Sequence, residues 1–258
     1  MVLVWVELAC LVRTRFNPPM KTIFRALCPV AIFAISTGSA QVEEENKLIT
    51  GRQFPAGFGV AESSVSPDKR YGILAPADSD HYDEKGKPQN KVVEMGTGRV
   101  LATIGAETGL VHMNHGGILP ASWSADGSFV LWQVDGKWCP RALVLIKIEN
   151  GEVVWQRDLL KLMQQEILTR TRKADPKKYA AAKKRNADSG EHFPDGFTIN
   201  VTTAEAENGP LSLPLGLHAE LESDPKGIEG FPESAKINTE LDGMIDREGK
   251  MTFKNFVP

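Results

Sequence analysis

An internal repeat constrains the fold of this chain more than any other feature of its sequence. The segment 64–74 reads SVSPDKRYGIL and the segment 122–132 reads SWSADGSFVLW. Both carry S-x-S-[PA]-D, a short turn and a run that begins with an aromatic residue. A second matched pair follows, VVEMGTGRV at 92–100 and LIKIENGEV at 145–153. Self-similarity of this kind predicts one supersecondary unit used twice.

Within each copy, the turn and strand signals predict a four-stranded antiparallel meander. An Asp that bonds the backbone two residues on, followed by Lys69 or Gly127, is typical of a tight turn. Alternating apolar residues such as Tyr71 and Ile73 then predict a strand with one buried face. Asn150-Gly151 is a strong hairpin signal near the end of the second copy.

These residues resemble the blade repeat of exported β-propellers, the WD40-like variety of TolB-type proteins. In that family, the S-x-S-P-D-G turn joins the first two strands of a blade, and a turn of TG or NG type joins the last two. The resemblance covers residues 58–157 and implies blades at 58–105 and 118–157. Because propellers close with about four to eight blades, we do not expect a closed ring from one chain. Two blades could stack as a sandwich, complete a ring by oligomerising, or pack as remnants on another part of the protein.

Residues 158–190 predict a basic helical insert in a mainly β chain, because their apolar residues recur at helical spacing. Asp158 can cap a first helix, and Asp175 with Pro176 can start a second. A basic helical run could contact phosphates or anionic lipid head groups. A solvated surface is its commoner use, and the acidic region 191–258 is a complementary partner within the chain.

Residues 191–258 predict an antiparallel β region that resembles no known family. From Leu211 to Leu221, apolar and polar residues alternate strictly, which is typical of a strand with one buried face. Because Pro214 cannot donate a hydrogen bond to a neighbouring strand, we expect this strand at an edge or with a bulge. The loop 246–249, Asp-Arg-Glu-Gly, predicts a hairpin between the last two strands.

Residues 20–40, MKTIFRALCPVAIFAISTGSA, have the three-part pattern of a secretory signal peptide. Basic residues open the segment, a short uncharged apolar run follows, and Ala40 supplies the small residue before a cleavage site. We therefore expect translation to begin at Met20, with 1–19 as an upstream extension. The mature protein is expected in the periplasm or outside the cell, and a buried N-terminal helix is the alternative.

Charge and composition argue against several classes of function. The formal net charge is −3, and cleavage after Ala40 would make the chain more acidic, so we expect no nucleic-acid partner. No uncharged apolar run reaches the roughly 18 residues of a membrane-spanning helix. Cleavage would leave Cys139 without a disulfide partner. The apolar neighbours of Cys139, Trp138 and Pro140, favour an inert thiol over a nucleophile.

Two loops carry side chains that could hold a divalent metal ion, and we expect no other cofactor. One loop is the long hairpin of the first repeat, and the other is the linker between the repeats. If the linker folds over the hairpin, carboxylates and imidazoles would meet, and both bind divalent metals. Solvated loop residues are the alternative. The candidate ligands are Asp78, Asp80, His81, His112 and His115.

Tryptophan residues are concentrated in and near the second repeat. Sheet core is the default position for such residues. The alternative is an exposed platform that binds a sugar or a peptide through its rings. The candidate binding residues are Trp123, Trp132 and Trp138.

These patterns leave hypotheses from different functional classes. The chain contains no G-x-S-x-G, P-loop, H-E-x-x-H or C-x-x-C motif. This favours an exported, non-catalytic binding or scaffold module for a protein or glycan ligand, which could also oligomerise. The alternative is a metal-dependent hydrolase with its site in the 78–83 hairpin and the 112–115 linker. A third hypothesis is docking of the basic helical segment on an anionic membrane surface.

Overall fold

Three antiparallel sheets and two helices make up the described part of the protein, which is a computed structural model. The described residues are 47–77, 89–110, 116–190, 192–204, 209–224 and 235–258. None of the three sheets closes on itself within these ranges. The prediction of a mainly β chain with helices and antiparallel sheets is therefore confirmed. The expected signal peptide, residues 20–40, lies outside the described residues.

The first sheet is a meander in which each strand pairs antiparallel with the next. The third strand is buried along its whole length, although the alternating sequence predicted one buried face. The second sheet covers one side of it, and on the other side its Leu74 lies in a small apolar cluster with Phe54, Val60 and Val93. The strands are β1 (Leu48–Ile49), β2 (Phe58–Ala61), β3 (Tyr71–Pro76), β4 (Lys91–Glu94) and β5 (Val100–Thr103).

The second sheet is also a meander, and its first strand is divided into two short pieces. Both pieces pair with the same long neighbour. The division explains how five strands occupy four positions, in the order β10-β9-β8 followed by β6 and β7. The strands are β6 (Gly117–Ile118), β7 (Ser122–Trp123), β8 (Phe129–Asp135), β9 (Pro140–Glu149) and β10 (Glu152–Asp158).

The repeated S-x-S-[PA]-D turn has the same hydrogen bonds in both sheets. In the first sheet, Ser66 Oγ donates to Asp68 Oδ1 at 2.6 Å and accepts from the Tyr71 amide at 3.0 Å. The equivalent distances in the second sheet are 2.7 Å and 2.9 Å. The equivalent residues are Ser124, Asp126 and Phe129. These hydroxyl groups are therefore committed to the turns. Each turn Asp also accepts the backbone amide two residues on, as the sequence predicted.

Backbone conformation supports the same equivalence. Lys69 and Gly127 occupy the same turn position, with φ of 59° and 68°. Gly98 and Gly151 occupy the same position in the second matched pieces, with φ of 70° and 79°. Left-handed conformations favour glycine because it has no Cβ. The sequence repeat is thus a repeat of backbone geometry.

Two consecutive helices, α1 (Leu159–Ala174) and α2 (Pro176–Arg185), follow the second sheet. The Asp158 carboxylate accepts the Lys161 amide at 3.0 Å, which caps α1. The Asp175 side chain caps α2 in the same way. Both helix starts agree with the prediction from the sequence.

The third sheet is a four-stranded meander whose inner face packs on α1. Its second strand lies in the interior of the sheet and pairs with both neighbours without a bulge, so the expectation of an edge strand or a bulge was wrong. The strand begins at Leu215, directly after Pro214, and the missing amide hydrogen therefore costs no inter-strand bond. The strands are β11 (Thr198–Thr203), β12 (Leu215–Glu222), β13 (Asn238–Ile245) and β14 (Met251–Val257).

The second sheet is the middle layer of the described structure. One of its faces, with Trp132 and Val144, packs on the first sheet. The other face, with Phe129 and Leu145, packs on α1 and the third sheet. Neither described helix is long and apolar enough to cross a membrane.

Candidate functional site

The five predicted metal ligands, Asp78, Asp80, His81, His112 and His115, lie outside the described residues. The chain segments beside them are joined, because the Asn90 side chain donates to Gly109 O at 3.0 Å and accepts the Gly109 amide at 2.7 Å. The bases of the predicted metal hairpin and linker therefore meet. Within the described ranges, no group of three or more His, Cys, Asp or Glu residues is placed to hold a metal ion.

The three predicted binding tryptophans do not share one surface. Trp123 and Trp132 belong to the core between the first two sheets, at 5% and 0% exposure. The Trp123 indole donates to Ser64 O at 3.0 Å and stacks on Tyr71 with 6.3 Å between ring centroids. Trp138 is 62% exposed. Only Trp138 can therefore offer its ring to a ligand.

Trp138 lies in the hairpin between β8 and β9, and the Lys137 ammonium lies 4.7 Å from the centroid of its ring. The linker between the repeats packs against the same end of the second sheet. Its residue Gly109 lies so close to Val134 of β8 that a Cβ added to Gly109 would lie 2.5 Å from the Val134 side chain. We call the surface formed by Glu107, residues 135–141 and His192 the hairpin end.

A polar network fixes the hairpin end. Arg141 of β9 approaches Glu107 at 3.3 Å, and its other terminal nitrogen lies 2.8 Å from His192 Nε2. Because a guanidinium only donates, Arg141 is the donor in this contact. His192 Nδ1 faces Glu107 at 3.7 Å. The network joins three segments that are distant in sequence.

Cys139 is the buried residue of the hairpin end, and its surroundings are those of an unreactive thiol. Its side chain is buried, and its sulfur lies 3.4 Å from the His192 carbonyl oxygen. Burial raises the pKa of the Cys139 thiol. Because the thiolate is the nucleophilic form, the geometry agrees with an inert thiol.

The opposite end of the repeats carries the two S-x-S-[PA]-D turns, and its charges serve the fold. Hydrogen bonds from Ser124 and Ser128 lower the pKa of Asp126 to about 2. Burial opposes ionisation of Asp68, but hydrogen bonds from Ser66 and Arg70 hold its pKa below the usual value. Both carboxylates are therefore poorly suited to proton transfer near neutral pH.

The basic helix α2 docks on the C-terminal region mainly through apolar side chains. Tyr179 and Ala182 belong to the core shared with the third sheet. One ion pair, Lys183 to Asp195 at 2.5 Å, adds charge complementarity. Four other basic residues of the helix, Lys177, Lys178, Lys184 and Arg185, are exposed or half-buried at its surface.

Reasoning from the sequence missed Glu107, Arg141 and His192. These residues are far apart in the chain and lie in no local motif. The residues Asp135-Gly136-Lys137 between β8 and β9 are typical of a hairpin turn, but such a signal places only a loop there and no side-chain network. The stacking of the second sheet on its neighbours brings the three side chains together.

Comparison with known proteins gave no match: no protein-family model, curated protein or solved structure is similar to this chain. The candidate site is therefore inferred from the residues of this chain alone, without a related protein as a guide. It consists of the exposed ring of Trp138, the ammonium group of Lys137 and the network around Arg141.

Proposed function

We propose that the protein is an exported, non-catalytic binding module. In this proposal, blade-like repeats of the propeller type hold a ligand-contacting surface at the hairpin end. The observation that carries it is the exposure of Trp138 on a hairpin whose base is fixed by Arg141. Export rests on the signal pattern in residues 20–40.

The chemistry of the hairpin end supports binding. A tryptophan ring combines a large apolar area with an indole N–H, and such rings dominate many binding interfaces. Trp138 exposes most of its area although Trp123 and Trp132 are buried. Lys137 adds a positive charge over one face of the ring. A peptide or a glycan could stack on this surface.

The blade-like assignment is supported by the equivalent turn bonds and by the stacking of the first two sheets. In a propeller, each blade buries its faces against its neighbours. Here α1 and the third sheet cover the second face of the second sheet. Burial of the middle sheet is therefore complete without further blades, which favours a stack of sheets over a ring completed by oligomerisation.

No contact among the described residues favours the hydrolase alternative. Its five candidate ligands lie outside the described ranges, so metal-dependent hydrolysis stays a prediction from the sequence. The same holds for docking of the basic helix on a membrane.

The test is site-specific photo-crosslinking in the native host. A photoreactive amino acid is placed at position 138 of the full chain, and the matched control carries it at Val154, which is 52% exposed on β10. We expect one dominant adduct from position 138 and little from position 154. Equal adducts from both positions, or no adduct from position 138, would contradict the proposal.

The isolated ligand then allows a quantitative measurement. We expect Trp138→Ala to raise its Kd about 30-fold or more, as for interface hot spots. Trp138→Phe should retain part of the affinity, and Val154→Ala should leave the Kd unchanged. If the purified protein converted the captured ligand to a product, the protein would be an enzyme and the proposal of a non-catalytic binding module would be wrong.

A further inference from the structure

A second surface suited to a ligand lies at the C-terminal end of α2, among residues that the proposed function does not use. A cavity of about 660 Å³ opens between this helix end and the turn Pro194–Gly196. Its volume falls in the range of small-molecule sites. Its apolar wall is formed by Ala180, Ala187, Phe193 and Pro194.

Hydrogen bonds hold the two sides of the cavity together. Tyr179 donates its hydroxyl to Asp195 at 2.6 Å, and Lys183 donates to the other carboxylate oxygen at 2.5 Å. Asn186 donates to the carbonyl oxygens of Gly196 at 2.9 Å and Ser223 at 2.7 Å. A site with fixed walls loses little entropy when a ligand binds.

The backbone of the turn is also fixed. Asp195 has φ of 54°, a left-handed conformation that is uncommon for a residue with a side chain. A Cβ added to Gly196 would lie 2.5 Å from Asn186 Cβ, so only glycine allows this approach. The turn is therefore held tightly against the helix end, and the cavity beside it is preformed.

The charges among the described lining residues favour an anion. Burial alone would raise the pKa of Asp195, but hydrogen bonds from Lys183 and Tyr179 hold it below its usual value. Lys183 neutralises that carboxylate. Lys184 is exposed at the rim, and no carboxylate of the described residues lies within 4.0 Å of it. Basic side chains in the last turn also offset the negative end of the helix dipole.

We propose that this cavity binds a small anionic amphipath, an apolar chain or ring that ends in a carboxylate. Its apolar body lies against Phe193, Pro194 and the two alanines. Its carboxylate pairs with Lys184 at the rim. Charge complementarity with Lys184 selects an anion over an uncharged molecule of the same shape.

Isothermal titration of the full chain with octanoate tests the proposal, and octanol is the uncharged probe of the same length. We expect octanoate to bind at one site and more tightly than octanol. Lys184→Gln should weaken octanoate about fivefold, the upper range for an exposed ion pair, and abolish its advantage over octanol. Lys177→Gln, at the other end of α2, is the matched control and should change neither affinity.

A second pair of variants tests the cavity itself. Ala187→Leu fills the space and should weaken octanoate about tenfold or more, by overpacking. Ala181→Leu adds the same volume on an exposed position of α2 outside the lining, and it should bind as the unchanged chain does. Thermal unfolding shows whether each variant is folded. Absence of octanoate binding, or binding unaffected by Ala187→Leu, would overturn the proposal without affecting the role of Trp138.

Discussion

The second and third sheets are both antiparallel meanders, yet they use their faces differently. The second sheet buries both faces, one against the first sheet and one against α1 and the third sheet. The third sheet buries one face and leaves the other to solvent. The position of a sheet among the packed layers, and not the way its strands pair, therefore decides which of its residues must be apolar.

The sequences record this difference. β8 reads FVLWQVD, and five of its seven residues are buried. β12 reads LGLHAELE, in which buried and more exposed residues alternate. A strand covered on both faces needs apolar residues at almost every position, and a half-covered strand needs them at every second one.

The outer face of the third sheet resembles the polar cap of a stacked-repeat protein. Glu220 lies directly opposite Glu240, an unfavourable pairing of like charges. His218 lies opposite Asp242, and its Nδ1 lies 2.9 Å from the Asp242 carboxylate. This face is built for solvent and contributes little apolar burial.

The largest difference in stability between variants of the two sheets is expected when core side chains are truncated. Trp132→Ala removes a side chain with 0% exposure from one face of the second sheet, and Leu145→Ala does so on the other face. We expect the free energy of unfolding to fall by about 3–5 and about 2–5 kcal/mol. Glu240→Ala, on the outer face of the third sheet, should stay within about 0.5 kcal/mol. Urea denaturation measures all three.

The difference between the two sheets would be contradicted if Leu145→Ala lowered the free energy of unfolding as little as Glu240→Ala does. That result would mean that α1 and the third sheet do not cover the second sheet in solution.

The two repeated turns should respond alike, although they belong to different sheets. Ser124→Ala and Ser66→Ala each remove a hydroxyl that bonds both a carboxylate and a backbone amide. We expect each to lower the free energy of unfolding by about 1–3 kcal/mol, the usual effect of leaving buried groups unpaired. Ser122→Ala is the matched control, because its hydroxyl makes no hydrogen bond within the described structure. Costs that differ widely would show that the turns are not energetically equivalent.

The smallest effect is expected on the outer face of the third sheet, as a dependence on pH. The hydrogen bond with Asp242 raises the pKa of His218, and partial burial lowers it. The negative charges of Asp242, Glu220 and Glu240 also raise the pKa. This contribution to stability is present below the unfolded pKa, about 6.5, and is lost as pH rises through the folded value.

Asp242 sets the lower limit of the same window. Hydrogen bonds from His218 and Asn255 lower its pKa, so its contribution is present above about 3.9 and is lost as pH falls through the folded value. The pair therefore stabilises the sheet most between about pH 4 and 6.5. Lys254, opposite Asp242 on β14, also favours the ionised carboxylate.

Thermal unfolding of His218→Asn checks this window. Its Tm should fall below that of the unchanged chain by more at about pH 5.5 than at about pH 8.5. Thr202→Ala, opposite His218 on β11, should give a difference that does not depend on pH. A Tm difference for His218→Asn that is equal at both pH values would mean that the pair does not form in solution.

Sequence reasoning succeeded where the signal was local. The turns at Asp68 and Asp126 and the helix caps at Asp158 and Asp175 were predicted in the form that the structure has. Each depends on a side chain that bonds backbone only a few residues away. The sequence analysis expected β12 at an edge or with a bulge because Pro214 was counted inside the strand, whereas the strand starts one residue later.

The sequence by itself determined the local geometry: two equivalent turns, two capped helices and strands of alternating or continuous apolar character. Only the tertiary structure decided which tryptophan is exposed, because Trp123, Trp132 and Trp138 differ in the layer that covers them. It also decided the network of Glu107, Arg141 and His192 and the cavity beside α2. The physical reason is that burial and charge pairing depend on contacts between distant segments, and the order in which sheets stack is not written in any single segment.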